Sequence, residues 1–221
     1  MPNDAERSVD EMKYEAEIRE LLINNAIHLI AEGGFEKATV KALSTCGGDL
    51  PGFKMNDVYI YRLFGSKEDL YRAAFARLDS ELFHNIRKML RAANEEVGFS
   101  DQKILIFTFL DKLWDYITHD QERCRCYVRY MYSVYFKDVS REAHNELFSG
   151  IIEELSPAFK EEADVTAIIH SAFTSLFDFA IRKFNGDLHD DETNRFHIFN
   201  VIYCIMSTYF RAETDSVGGV E

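Results

Sequence analysis

Seven basic side chains fall between Lys37 and Arg77 (Lys37, Lys41, Lys54, Arg62, Lys67, Arg72 and Arg77), against four acids in the same window: Asp49, Asp57, Glu68 and Asp69. The 221-residue chain as a whole carries a net charge of −13. Salt confines the reach of a surface charge to roughly 10 Å. A small cationic surface can therefore survive on an anionic molecule, and such a surface suits the phosphates of a nucleic-acid backbone. The overall negative balance speaks against indiscriminate coating of nucleic acid and against docking on acidic lipid.

Other residue types that do chemistry are scattered. His189, Asp190 and Asp191 form a possible metal cluster, but they lie between two helical stretches with no fourth partner and read as a polar loop plus helix cap. Cys124 and Cys126 are too close-set for a zinc knuckle, and with Cys46 and Cys204 they are expected to be reduced structural thiols of a cytoplasmic protein. His28 sits in an apolar helical pattern and reads as structural. Glu153-Glu154 and Glu161-Glu162 read as solvated faces. No Gly-rich phosphate loop or nucleophile elbow is present. An enzyme is not expected, nor a metal, nor a cofactor. The acidic start, Met1 to Lys13, lacks the apolar core of a signal peptide, and no uninterrupted apolar run reaches membrane-spanning length.

The elements that position the basic window are helical. Apolar residues make up 47% of the chain, yet there are only 3 Pro and 11 Gly, too few turn signals for a many-stranded fold. After a polar, acidic tail (1–11), expected to be disordered, apolar residues recur at three- and four-residue steps from Met12 to Glu32, and Gly33-Gly34 stops the helix. Thr39 stands as the cap of a short second helix. Asn56 is the expected cap of a third, reaching Leu63. Ser66, with Asp69 three residues on, opens a long fourth helix to about Ala93. Further helices are expected over Asp101–His119, Gln121–Phe136, Ser140–Leu155, Glu161–Phe184 and Asp190–Ala212. The stretch Ile104 to Leu110 mimics a strand, but its helical phase continues through Trp114. The expected class is all-α, about nine helices: a three-helix helix-turn-helix domain (1–66) joined to a C-terminal helical bundle (67–221).

The run Gly34-Phe35-Glu36-Lys37-Ala38-Thr39-Val40-Lys41-Ala42-Leu43, followed by Tyr59-Ile60-Tyr61-Arg62-Leu63-Phe64-Gly65-Ser66-Lys67-Glu68-Asp69-Leu70, resembles the DNA-binding domain of the TetR/AcrR family. Ile60, Tyr61, Phe64, Lys67 and Leu70 occupy the positions of its Leu-Tyr-x-x-Phe-x-x-Lys-x-x-Leu ending. The resemblance implies that the third helix enters the major groove and that Tyr61 and Lys67 hold phosphates. Thr39 and Lys41 then reach the flanking backbone, and Asn56 and Tyr59 meet base edges. Two features depart from the family pattern. The turn Gly47–Met55 is about six residues longer, which costs little closure entropy, and Asp57 stands where a Lys or small residue is usual.

The resemblance further implies a ligand-responsive regulator, usually a repressor: a homodimer on a palindromic stretch of double-stranded DNA, released or recruited by a small-molecule effector in the larger domain. The aromatic-rich middle helices suggest Trp114, Tyr116, Tyr127 and Tyr130 as cavity lining, with Phe173 and Phe177 beside them. The last two long helices are apolar nearly all round. Either they form the centre of a monomeric bundle, or a second copy covers their outer face through Ile169, Phe173, Leu176, Phe199, Ile202 and Met206. An alternative function is a helical dimeric small-molecule or protein binding module whose DNA contact has weakened.

Overall fold

Where glycine and proline are scarce, the chain is helical. The computed structural model describes residues 4–46, 56–97 and 101–211. Among the described residues there are nine α-helices and no strand: α1 (Asp4–Gly33), α2 (Val40–Thr45), α3 (Val58–Phe64), α4 (Lys67–Val97), α5 (Gln102–His119), α6 (Gln121–Met131), α7 (Val139–Leu155), α8 (Val165–Asn185) and α9 (Glu192–Ser207). A 3-10 turn, Ser156–Ala158, follows α7, and a lone antiparallel bridge joins Phe159 to Phe210. Among the described residues no helix is long and apolar enough to cross a membrane.

Short polar side chains start the helices by accepting from backbone N–H groups that have no partner within the helix. Thr39 Oγ1 takes Ala42 N–H at 3.2 Å, Asp101 takes Lys103 and Ile104, Asp164 takes Ala167, and Asp191 takes Asn194. Ser66 Oγ accepts from Asp69 N–H at 3.0 Å and donates to Asp69 Oδ2 at 2.6 Å. Gly65, at φ +87°, turns the chain from α3 into α4 within two residues, a backbone conformation that a Cβ would strain.

Several boundaries differ from the periodicity. The tail 1–11, expected to be disordered, is helical from Asp4, because nothing between Asp4 and Glu32 breaks a helix. The third helix starts at Val58 rather than Asn56, whose Oδ1 instead accepts from Val58 N–H at 3.0 Å in a turn. Helix α6 stops at Met131, five residues before Phe136. There Ser133 Oγ bonds both Tyr130 O and Tyr135 N–H, offering the backbone a turn in place of a helix. Helix α9 ends at Ser207 because Tyr209 O and Arg211 N–H pair with Lys160 N–H and Ala158 O.

The chain divides into two compact units, one holding the described residues up to Asp79 together with Gln121–Glu142, the other Ser80–Asp120 together with the described residues from Ala143. Helix α4 passes from one to the other. In the first unit α6 lies along α1, where Arg129 donates to Ile30 O at 2.8 Å and His28 Nδ1 meets Glu122 at 2.9 Å. Its interior joins apolar packing to polar ties: Tyr71 OH donates to Ala38 O, Asn25 Nδ2 to Leu43 O at 2.8 Å, and Tyr127 OH to Asp79 Oδ1 at 3.0 Å. Phe75 stacks on Tyr130 at 4.3 Å. The second unit packs α5 against α8 and α9. Its polar lock is Asp190, which accepts from Trp114 Nε1 at 3.0 Å, Arg195 Nε at 2.6 Å and Lys183 Nζ at 2.5 Å.

Candidate nucleic-acid interface and ligand cavity

Helix α3 is held from behind and open in front. Ile60 is fully buried, and Arg19 of α1 donates to Leu63 O at 3.0 Å, which satisfies a carbonyl at the C-terminal end of α3. Its guanidinium also lies 4.5 Å from the Phe64 ring centre. Leu70 of α4 is fully buried in the same core. On the open side, Tyr61 is 54% exposed and Val58, three residues earlier on the same helix face, is 61% exposed. Asn56, Asp57, Thr39 and Lys41 are exposed, Tyr59 is half-buried beneath the Arg62 guanidinium at 4.8 Å, and the Lys67 ammonium stem is part-exposed at the start of α4. The fold thus brings Tyr59, Tyr61 and Lys67 to one end of the unit with α2 packed beside α3. The inserted turn 47–55, with Asp49 and Lys54, lies outside the described residues.

Counting charge along the sequence overlooked the acids that α1 contributes. Arg62 pairs with Glu15 at 2.5 Å, Arg77 with Glu20 at 2.7 Å and Lys37 with Glu32 at 3.4 Å. Arg72 and Lys67 meet their local acids Asp69 and Glu68. Lys41 has no ion pair among the described residues, so no described acid competes with a phosphate for it. Val58 was also missed. An apolar β-branched residue at a helix start reads as core from sequence, and only its exposure marks it as a group able to meet a thymine methyl.

The second unit holds a cavity of about 140 Å³ lined by α4, α5, α7, α8, α9 and the 3-10 turn. Its walls are hydrocarbon and aromatic carbon, from Ile86, Leu105, Phe109, Ile151, Phe173 and Met206 among others, and Gln102 is the one lining residue with a polar side chain. Of the six residues that composition suggested for a ligand site, Phe173 lines this cavity. Trp114 is fully buried behind it, spent on Asp190. Tyr116 OH meets Asn85 at 3.4 Å and Phe177 is half-buried away from the lining. Tyr127 and Tyr130 belong to the other unit, with hydroxyls on Asp79 and Ser140. Aromatic density had pointed to the best-packed aromatics, whereas the lining comes mostly from aliphatic stripes on five separate helices.

The residues expected at a seam between copies are largely covered by their own chain. Ile169, Leu176, Phe199, Ile202 and Met206 are each less than a tenth exposed, and Phe173 is half-buried in the cavity wall. A helix apolar all round still turns one stripe inward, and these residues are that stripe. The outward positions of α8 and α9 include Thr174, Asp178, Phe196, His197, Val201 and Cys204.

Burial raises the Tyr71 phenol to about 12 and the Cys126 thiol likewise to about 12, so neither ionises near neutrality. Burial alone would raise the Asp190 carboxyl. Hydrogen bonds from Arg195, Lys183 and Trp114 outweigh it and hold the group well below the ordinary carboxylate range. Among the described residues no group of three or more His, Cys, Asp or Glu side chains is arranged to hold a metal ion. Asp191 caps α9 and His189 offers its carbonyl to Asn194.

No family model matches the chain, and no curated protein does. Solved structures do. A TetR family transcription regulator from Marinobacter aquaeolei VT8 superposes with a TM-score of 0.67 at 12% identity, over 88% of this chain and 97% of that one. The fatty acid degradation regulator FadR from Bacillus halodurans gives 0.59 at 16% identity, over 83% and 96%. The transcriptional regulator FadR from Bacillus subtilis, solved in complex with stearoyl-CoA, gives 0.57 at 16% identity, over 83% and 96%. The chain has the all-α fold of TetR-family transcription regulators along most of its length.

Proposed function

We propose that this protein is a ligand-responsive transcription regulator, acting as a homodimer on a palindromic operator, with residues 1–66 reading DNA and 67–221 binding the effector and the second copy. The observation that carries the reading is the open face of α3. Val58 and Tyr61 stand exposed on a helix anchored from behind by Ile60 and Arg19, and Lys41 of the neighbouring α2 has no ion pair among the described residues. Such a helix can enter a major groove without disturbing its core. Thr39, Lys41, Tyr61 and Lys67 then hold phosphates, while Asn56, Val58 and Tyr59 face base edges. The effector occupies the cavity of the second unit, and an effector coupling of ~1–3 kcal/mol is enough to change operator affinity markedly.

A second reading draws on the acids of α1. If Glu15, Glu20 and Glu32 keep their cations, the head is close to neutral and the protein is a binding module with weakened DNA contact.

One experiment separates the two: genomic fragments retained by the full-length protein at low and at moderate salt are recovered and sequenced. A regulator returns a shared palindrome with half-sites ~34–36 Å apart, or a multiple of that. Lys67→Ala weakens binding to all fragments alike and flattens the salt dependence by ~1. Recovery without a common sequence, at both salts, rejects the operator and leaves the second reading.

A further inference from the structure

The cavity of the second unit has a shape and a polarity along its length. Its lining on α5 runs from Gln102 to Leu113, which spans ~16 Å at the helical rise of 1.5 Å per residue. The lining follows α5 for that whole distance, so the cavity is a slot elongated along the helix.

The two ends of the slot differ. Helices α5 and α9 run antiparallel. Phe107 meets Phe196, Phe199 and Tyr203, Lys103 lies over Tyr203, and further along α5 Asp111 and Asp115 meet Arg195. Tyr203 in turn touches Phe210 at 6.3 Å. Gln102, Phe159 and Phe210 therefore mark one end, and Leu113 the other. Leu113 is 1% exposed, with the buried Trp114 next to it. At the first end Ala158 is exposed, and Gln102 and Phe210 are part-exposed, so the slot opens there.

Two cations stand at the open end, with the exposed acids Glu161 and Glu162 next along the chain. Lys160 and Arg211 follow the lining residues Phe159 and Phe210 directly in the chain, and both are exposed. Lys160 Nζ donates to Thr208 O at 2.9 Å and Arg211 Nε to Phe159 O at 2.7 Å, which fixes both side chains beside the mouth, and among the described residues the two terminal nitrogens of Arg211 meet no acceptor. The Gln102 carboxamide has no hydrogen-bond partner among the described residues. Asp101 stands at the same end, with its carboxylate engaged by the N–H groups of Lys103 and Ile104.

We propose that the slot holds the single alkyl chain of an anionic amphiphile, with the tail toward Leu113 and the head group at Gln102, Lys160 and Arg211. The inference rests on the reading of the second unit as the effector-binding part. An ionised group deep in the slot has no partner on these walls and would be heavily penalised. A hydrocarbon chain loses only its contact with water, and each buried methylene strengthens binding about three- to fourfold. A broad, rigid ring system does not fit such a slot without displacing packed side chains. A free fatty acid and an acyl thioester of a phosphorylated carrier share this chemistry.

The test is equilibrium binding to the full-length protein in the absence of DNA, so that it is independent of operator recognition. The probes are hexanoate, octanoate, decanoate, dodecanoate, dodecanol, dodecanoyl-CoA and the rigid anion cholate. The expected result is an affinity that rises about threefold per methylene and levels off once the chain fills the slot. Dodecanoate or dodecanoyl-CoA binds at least tenfold tighter than dodecanol, and the tighter of the two identifies the source of the head group. The double variant Lys160→Ala, Arg211→Ala erases the preference over dodecanol and leaves dodecanol binding intact. Ala172→Met, checked by thermal unfolding for an intact fold, plugs the wall and weakens every chain. Cholate binding as tightly as dodecanoate overturns the proposal, as do affinities insensitive to chain length or a head-group preference that survives the double variant. Amphiphile binding without any shift in DNA affinity leaves the slot assignment standing and rejects the effector role. DNA binding without amphiphile binding does the reverse.

Discussion

The two units of this chain use aromatic and polar residues in opposite ways. In the first, aromatic rings fill the interior and their hydroxyls are tied to backbone or carboxylate: Tyr71 to Ala38, Tyr127 to Asp79, Tyr130 to Ser140. In the second, aliphatic stripes leave part of the interior empty, and the polar contacts of the buried tryptophan are drawn to Asp190. A surface that must meet a rigid target gains from side chains held by a filled, hydrogen-bonded core. A unit that admits a small molecule needs apolar space kept open by rigid walls, and here the Asp190 lock ties the α8–α9 connection to α5.

The contrast is broken most forcefully at Trp114. Trp114→Ala removes the largest buried side chain of the second unit together with its bond to Asp190, and is expected to cost ~3–5 kcal/mol in equilibrium denaturation. A loss under ~1 kcal/mol would mean that the residue is not the wall behind the slot.

Asp190→Asn comes next, with an expected loss of ~1–3 kcal/mol, because it removes the charge that Arg195 and Lys183 share while leaving the shape. Its pH dependence sharpens the point. The folded carboxyl titrates below its unfolded value of ~3.9, so the unfolded chain binds the extra proton as acid is added. The Asp190 contribution is complete above that value and is lost progressively as pH falls below it. Stability measured from pH 6 to pH 2 should fall less steeply in Asp190→Asn than in the wild type.

In the first unit, Asn25→Ala leaves the Leu43 carbonyl without its buried donor and should cost ~1–3 kcal/mol, with DNA affinity falling in parallel. Loss of stability without loss of affinity would show that α2 need not be fixed to read DNA. The smallest effect on stability is expected from Glu15→Gln, which removes an exposed ion pair worth ~0–1 kcal/mol. It frees Arg62, so affinity for any DNA fragment should rise a few-fold and the salt dependence steepen by ~1. Unchanged affinity would place Arg62 outside the phosphate contacts.

The helical class, the order of the elements and most caps were legible in the sequence, because each rests on neighbours a few residues apart. Thr39 before α2, Gly65 after α3, Ser66 with Asp69 and Asp191 before α9 act through local backbone geometry. The ending around Tyr61 and Lys67 was legible for the same reason, as several residue types at fixed spacing. The ends of α6 and α9 were not. Ser133 and the Phe159–Phe210 bridge stop them, the first by a competing turn and the second by chain some fifty residues away.

What the sequence determined alone is therefore local: helix, cap, turn, and a stripe of one polarity per helix. Tertiary structure decided which stripe faces which. It set the acids of α1 against the cations of the third-helix window, and turned Val58 outward and Ile169 and Ile202 inward. It also assembled an apolar slot from five helices that show no common pattern along the chain. Charge and burial depend on distance in space, and a one-dimensional count carries that distance only across a few residues.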